Sequence, residues 1–426
     1  MGGPQATHGR LGALTPVLPV RRARPARRPP ARVGGMIDLD RVVRDTPAAA
    51  HGVFLDSAGS SLPPSVVVET VAAHQRREAQ VGGYRAAEER AADLAAVRTS
   101  LGLLLNVPVG TLALTDSATR AWTQFFYAVP LAPGDRILLC GVEYASNAVA
   151  ALQRAAATGA TVEYVPSDPT GQIDLDALAG MLDDRVRVVS LVHVPTNGGL
   201  VNPVREVVDL AHAHGALVLL DACQSLGQLR VDATALGVDA LSGTGRKWLR
   251  GPRGTGFLYV RPGLVTALEP PVIDLFGASW TGRQSYALAD DATRFELWES
   301  DVAGRLGLGA AVDYLLALGP DAVESAVTAH AATLRGLLAE IPGVTVRDRG
   351  VRRCGLVTFS VEGRDPAEVK AALRARDVTL VTTRRKSTLI DMTERGLEQF
   401  LRASPHYFLG PDQLATAARA VADLAR

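Results

Sequence analysis

Seven short apolar runs, rich in β-branched residues and separated by stretches of helical periodicity, constrain this chain more than any other feature. They are Leu112–Thr115, Arg136–Cys140, Thr161–Val165, Val186–Val194, Ala216–Asp221, Asp239–Ser242 and Gly256–Val260. Strands that alternate with helices give a mostly parallel sheet, because a parallel connection has to cross back over the sheet and normally does so as a helix. The intervening patterns predict helices over Ala118–Val129, Ala145–Ala157, Asp176–Leu182 and Pro203–His214, the last closed by Gly215. From about Ala303 the pattern changes to a long apolar helix, strands near Val344–Arg347 and Gly355–Val361, and a helix over Pro366–Arg376. The expected architecture is α/β, with a large domain over residues 37–300 whose N-terminal segment joins the small domain. Residues 301–426 form that smaller α+β C-terminal domain.

Composition removes whole classes of function. A chain of 426 residues with 47% hydrophobic side chains can bury two ordinary cores, and 21% charged residues with a net charge of +1 suit neither a disordered chain nor a nucleic-acid binder. No apolar run reaches the roughly 18 to 20 residues of a membrane span. Cys140, Cys223 and Cys354 are widely spaced and odd in number, so neither a disulfide framework nor a metal cluster is expected, and the cytoplasm is the expected compartment. Residues 1–36 hold seven arginines, six prolines and no acid, which predicts a disordered tail or an early start with Met36 as the true beginning. Their apolar stretch, Leu11 to Val20, precedes most of the arginines, opposite to the order of a signal peptide.

Lysine is scarce. Only Lys247, Lys370 and Lys386 occur, so 42 of the 45 basic residues are arginine. A lysine kept at a special site does what arginine cannot, namely lose its proton and attack a carbonyl.

In open α/β sheets ligands gather at the carboxyl ends of the strands, and four strand ends carry polar residues. Thr115-Asp116-Ser117-Ala118-Thr119 opens a helix and suits an anion cradle, although ordinary N-capping explains the same residues. Asp221 ends an apolar run and, if buried, needs a partner, either an arginine, a helix N-terminus or a protonated heterocyclic nitrogen. Lys247 follows Ser242-Gly243-Thr244-Gly245-Arg246 on a glycine-rich turn, and Trp248 after it rules out a phosphate-binding P-loop. Tyr144, after the Arg136–Cys140 run, either packs in the core or offers its ring face to a planar ligand. Together they supply an anion cradle, an aromatic face, a carboxylate and an activated amine, a set that fits pyridoxal 5′-phosphate.

The run Leu220–Leu229 (LDACQSLGQL), with Lys247 placed 26 residues after Asp221 in Ser242–Val260, resembles class V aminotransferases. That group includes cysteine desulfurases and isopenicillin N epimerase-like proteins. The resemblance runs from Phe54-Leu55-Asp56-Ser57-Ala58-Gly59 to Leu401–Phe408 and implies the pyridoxal-phosphate transferase fold of type I. It implies that Lys247 carries the cofactor as a Schiff base and moves protons at Cα, while Asp221 keeps the pyridine nitrogen protonated. Gln224 is implied at the ring's phenolic oxygen, and Ser117, Ala118, Thr119, Thr244 and Arg246 at the phosphate. Tyr144 falls where desulfurases stack a histidine, and Thr196 or Asn197 where relatives place an asparagine near the ring. Arg402 is implied as the fork for the substrate carboxylate, with Ala58 and Gly59 lining the same end.

Departures narrow the activity. The stretch Val381–Thr388, where desulfurases carry a sulfur-accepting cysteine, has none, and Cys354 begins an apolar strand as a core residue does. Relatives lend a hydroxyl across the dimer from a segment resembling Arg294-Phe295-Glu296, and here Glu299 stands near the expected threonine. The expectation is a homodimeric enzyme acting on an α-amino acid, foremost a C–S lyase on a cysteine conjugate. The alternatives are an aminotransferase, an epimerase, or a non-catalytic cofactor-binding sensor. No metal, nucleic-acid or membrane partner is expected, and Trp122, Trp280, Arg283, Tyr286 and Arg384 are candidates to line the substrate pocket.

Overall fold

The computed structural model describes residues 37–426, so the reading of residues 1–36 as a tail lies outside the described residues. The central sheet has seven strands: β1 (Leu112–Thr115), β2 (Arg136–Cys140), β3 (Thr161–Val165), β4 (Val186–Val192), β5 (Leu217–Asp221), β6 (Ala240–Thr244) and β7 (Gly256–Val260). They lie in the order β1-β7-β6-β5-β4-β2-β3, with β7 antiparallel to both neighbours and the other pairings parallel. Every residue of β5 after Leu217 is buried, as a strand covered on both faces should be. The register sets Asp221 beside Val192 of β4 and Ser242 of β6, which aligns the strand ends that carry the polar residues.

The helices that follow these strands match their sequence signals. Ala118–Phe126 is capped by Ser117, whose Oγ accepts from the Arg120 amide at 3.2 Å, and Val204–Ala213 is followed by Gly215 at φ +73°.

Two regions depart from the expected alternation. Three helices, Ser65–Val81, Gly83–Glu89 and Ala91–Leu105, fill the chain before β1. The first carries three consecutive valines near its start, of which only Val67 is buried, and packs against the helix Val302–Leu318. The second departure is the long apolar helix, which is two helices, Val302–Leu318 and Pro320–Ala339, bent by 84°. Gly319 at φ +89° ends the first and Pro320 starts the second. Among the described residues no single helix is long and apolar enough to cross a membrane.

The C-terminal part is a four-stranded antiparallel sheet, ordered Val344–Val346, Val357–Val361, Gln399–Ala403, Val381–Arg384, with helices Pro320–Ala339, Pro366–Arg374 and Pro411–Ala425 around it. The N-terminal segment reaches this part: Val53–Phe54 pairs in parallel with Val378–Thr379, and Asp56 bridges Ser404. Strand Gln399–Ala403 and residues 55–59 are thereby held side by side at the edge of the large sheet's polar end.

Candidate active site

One pocket sits at the carboxyl ends of β1, β4, β5 and β6. Its walls include Ser117, Ala118, Thr119, Tyr144, Thr196, Asp221, Gln224, Thr244, Arg246 and Lys247, so most of the residues singled out in the sequence meet at one place. Asp116, Cys223, Gly254 and Thr255 line it too. Asp116 and Cys223 are chain neighbours of Ser117 and Asp221, whereas Gly254 and Thr255 reach the pocket from the start of β7, where Thr255 precedes Gly256.

Groups suited to an anion line it: the start of helix Ala118–Phe126 and the Arg246 guanidinium, together with Thr244 and Thr255, whose hydroxyls donate to the carbonyls of Thr255 at 3.4 Å and Pro252 at 2.8 Å, respectively. β7 passes so close beneath this helix start that a Cβ on Gly256 would lie 2.4 Å from the Ser117 carbonyl carbon, so only glycine fits. The same pocket is lined by Asp221, 6% exposed, with Oδ1 accepting from the Cys223 amide at 2.9 Å and Oδ2 from Asn147 Nδ2 at 3.0 Å. Lys247 lines it as well. Burial pushes its ammonium below the usual lysine value, against the opposing pull of Cys223 and Asp221, which favours the neutral, nucleophilic amine. Burial, then Asp221, pushes the Cys223 thiol well above the normal cysteine value.

The side towards the C-terminal part differs in several particulars from the sequence reading, and Arg402, Ala58 and Gly59 do not themselves line the pocket but contact Thr196, Gln224 and Arg246, which do. Asn197 is turned away from the pocket: its Nδ2 donates to Thr388 Oγ1 at 2.8 Å and to the Arg384 carbonyl at 3.2 Å, and its Oδ1 accepts from Thr383. Of the two candidates only Thr196 lines the pocket, because Asn197 is pulled into the C-terminal part by those three partners. Gln224 lines it with its amide engaged, Nε2 donating to Ala58 O at 3.1 Å and Thr196 Oγ1 at 3.4 Å while Oε1 accepts from Trp248 Nε1 at 2.9 Å. Arg246 donates to the Gly59 carbonyl, which ties residues 58–59 to the glycine-rich turn. Arg402 is buried on strand Gln399–Ala403. Its Nη1 donates to Thr196 O at 3.1 Å and Oγ1 at 2.9 Å, and its Nη2 to Asp56 Oδ1 at 3.3 Å. Its Nε is buried with no partner. Asp56, missed as an individual site residue, is identifiable only by this contact across 346 positions.

For the five bulky or charged side chains, core packing or a surface position is as open in the sequence as a place in the pocket, and the structure gives them those. Trp122 is in the core, stacked on Phe126 with ring centroids 4.3 Å apart. Trp280 and Tyr286 lie on the exposed hairpin Ala278–Gly282 and Ser285–Leu288, with Arg283 at its turn, and Arg384 borders a separate shallow groove. None of the five lines the pocket.

Donors for a phosphate, a buried carboxylate and a buried amine in one pocket form a donor set that fits a phosphorylated pyridine aldehyde. The comparisons agree with that chemistry. The family model for aminotransferase class-V matches residues 53–412, and the chain belongs to that family. It is therefore an enzyme whose cofactor is pyridoxal 5′-phosphate. It is 29% identical over 355 residues to a "Probable cysteine desulfurase" of Halalkalibacterium halodurans, covering 80% of this chain and 84% of that protein. It is 32% identical over 377 residues to a "Probable hercynylcysteine sulfoxide lyase" of Mycobacterium tuberculosis, covering 87% and 89% respectively. Its fold matches the crystal structure of the cysteine desulfurase CsdA from Escherichia coli with a TM-score of 0.84 at 24% identity, over 92% of this chain and 99% of that one.

Proposed function

We propose that this enzyme is a C–S lyase that cleaves a cysteine conjugate by β-elimination and passes no sulfur to a protein thiol. The observation that carries the reading is the segment Val381–Thr388, which lies against Asn197, next to the pocket-lining Thr196, and contains no cysteine. The chain's own three thiols do not replace it. Burial pushes Cys354 up to about 11 and Cys140 and Cys223 well above the usual value, so none supplies a thiolate at neutral pH. The relative named a hercynylcysteine sulfoxide lyase favours a thioether or sulfoxide of cysteine as substrate.

In this reading Ser117, Ala118, Thr119, Thr244 and Arg246 hold the cofactor's phosphate, Tyr144 covers its ring, Asp221 faces the ring nitrogen and Lys247 is the anchoring amine. When bound, the cofactor supplies an electron sink next to the substrate Cα. Arg402 receives the α-carboxylate. Its unpaired Nε and its long Nη2 contact to Asp56 leave a two-donor edge for a second carboxylate, with Ala58 and Gly59 beside it. Lys247 Nζ takes the proton from Cα. Loss of that proton expels the sulfur from Cβ as a thiolate, or as a sulfenate from a sulfoxide, and hydrolysis of the three-carbon remainder releases pyruvate and ammonia. A homodimer is part of the reading, supported by the exposed Tyr84, Phe276 and Trp298 around one groove that also contains Glu299. Sedimentation equilibrium at micromolar concentration measures it, and a monomer there removes it.

The test is incubation of purified holoenzyme with cysteine thioethers, their sulfoxides and free cysteine. Pyruvate, ammonia and a thiol or sulfenic product in equal amounts are expected from a conjugate. Alanine with sulfane sulfur from free cysteine makes the protein a desulfurase, and a keto acid that retains the side-chain sulfur makes it a transaminase.

A further inference from the structure

Behind Asp221, away from the pocket, lies a second buried carboxyl that the chemistry above does not use. Glu143 follows β2 and is 4% exposed, and Asn147 is in the first turn of the helix Ala145–Thr158. The two hydrogens of Asn147 Nδ2 go to different carboxyls, one to Glu143 Oε1 at 2.9 Å and one to Asp221 Oδ2 at 3.0 Å. Glu143 Oε1 also accepts from the Tyr144 amide at 2.9 Å, and Oε2 shares a hydrogen bond with Ser190 Oγ at 2.9 Å. A side-chain amide has a donor end and an acceptor end. Turned over, Asn147 would set its oxygen against carboxyl oxygens on both sides, so Glu143 and Asp221 together select one orientation. Conversely, with Glu143 holding one hydrogen, the other is aimed at Asp221 Oδ2.

We propose that Asn147 and Glu143 are positioning residues that lock the Asp221 carboxylate in the plane it presents to the cofactor's ring nitrogen. With the Cys223 amide on Oδ1 and Asn147 on Oδ2, each oxygen of Asp221 has one fixed donor on the protein side. Without Asn147 the carboxylate rotates about its last bond with only the Cys223 amide to hold it. Oε1 of Glu143 accepts whether or not the group carries a proton on Oε2, so the lock survives protonation. Burial first, then the charge of Asp221, pushes Glu143 up to about 8. The inference rests on the proposed role of Asp221.

The experiment uses Asn147→Ala, Glu143→Leu, Glu143→Gln and Asp221→Ala in the full chain, each first checked for a cooperative thermal transition. Two quantities are read: the dissociation constant of pyridoxal 5′-phosphate from the apoprotein, and the pH midpoint of the visible band of the lysine-bound cofactor. Asn147→Ala should weaken cofactor binding by about 10-fold, as loss of a hydrogen bond to a charged group does. It should raise the band's pH midpoint, because a ring nitrogen less firmly protonated withdraws less charge from the imine. The fall in turnover should appear in kcat with KM for the amino acid little changed. Glu143→Leu should move both readouts the same way, and Glu143→Gln, which keeps an acceptor for the Asn147 amide, should restore most of the loss. If Asn147→Ala does not fold, Asn147→Ser takes its place with the same expected shifts. A folded Asn147 variant with both readouts at the parent's values, while Asp221→Ala changes them, overturns the lock and leaves the role of Asp221 standing. Parent values in Asp221→Ala itself overturn both.

Discussion

On one wall of the site Asp221 and Thr244 stand at strand ends of a single sheet, located by backbone ladders to their neighbours, with Ser117 and Lys247 just beyond strand ends of the same sheet. The second wall is reached through Thr196, whose side chain is tied to Arg402 and through it to Asp56. Arg402 has its backbone in a paired strand and Asp56 a bridge to Ser404, but the side chains of the three are positioned by one another. The strand-end wall therefore keeps its geometry when one side chain is changed. Among Thr196, Arg402 and Asp56 the side-chain geometry belongs to the network, so a change at one residue moves its partners.

The largest effect should come from the strand-end wall. Lys247→Ala is expected to fold, to retain cofactor without covalent attachment, and to lose more than about 10³-fold in turnover, within the range for removing a positioned proton-transfer group. Borohydride reduction followed by peptide mapping checks this, and an adduct on Lys370 or Lys386 in the parent overturns the assignment. Next is Arg402→Lys, which keeps the charge and loses the fork. A loss of about 2–4 kcal/mol in kcat/KM is expected, the range for breaking a buried, hydrogen-bonded charge pair. An α-amino acid and its carboxylate-free amine analogue should be compared in both proteins, and an equal loss on the two shows that Arg402 does not read the carboxylate.

Asp56→Asn should be milder and should act through Arg402. An increase of about 10-fold in KM is expected as the guanidinium loses its charged partner. A double-mutant cycle with Arg402→Lys should give a coupling of about 0.5–3 kcal/mol, and simple additivity would falsify the picture of a wall wired through its side chains.

The smallest effect is on stability. Glu143 is pushed from the ordinary glutamate value of 4.5 to about 8 in the folded protein. Between these values the native state holds a proton that the unfolded chain has released, so stability falls as pH rises across that window. Urea denaturation from pH 5 to 9 should show a decline in the parent that is flatter in Glu143→Gln, and parallel curves would remove the shift.

Much of the strand-end wall was legible in advance because its signals are local. An apolar run ending in Asp221, a helix start at Ala118 and Lys247 on a glycine-rich turn are each contained within a few consecutive residues, and the seven strands appear within about two residues of their expected ends. The network wall was legible only as residue types. Nothing near Asn197 in the chain says that Thr383 and Thr388 will claim its amide, and nothing near Gln224 says that Trp248 and Ala58 will. The helix Ser65–Val81 was missed for a related reason, since the element it packs against, Val302–Leu318, lies more than two hundred positions away.

The sequence by itself determined the α/β class and the family, and placed Asp221 and Lys247 at strand ends, because hydrophobic periodicity and a strand's polar terminus are properties of neighbouring residues. Only the tertiary structure decided which long side chains line the pocket and which bind each other. A donor on a flexible stem is directed by whichever acceptors the fold brings near it, and for Arg402 those are Thr196 and Asp56, 206 and 346 positions away.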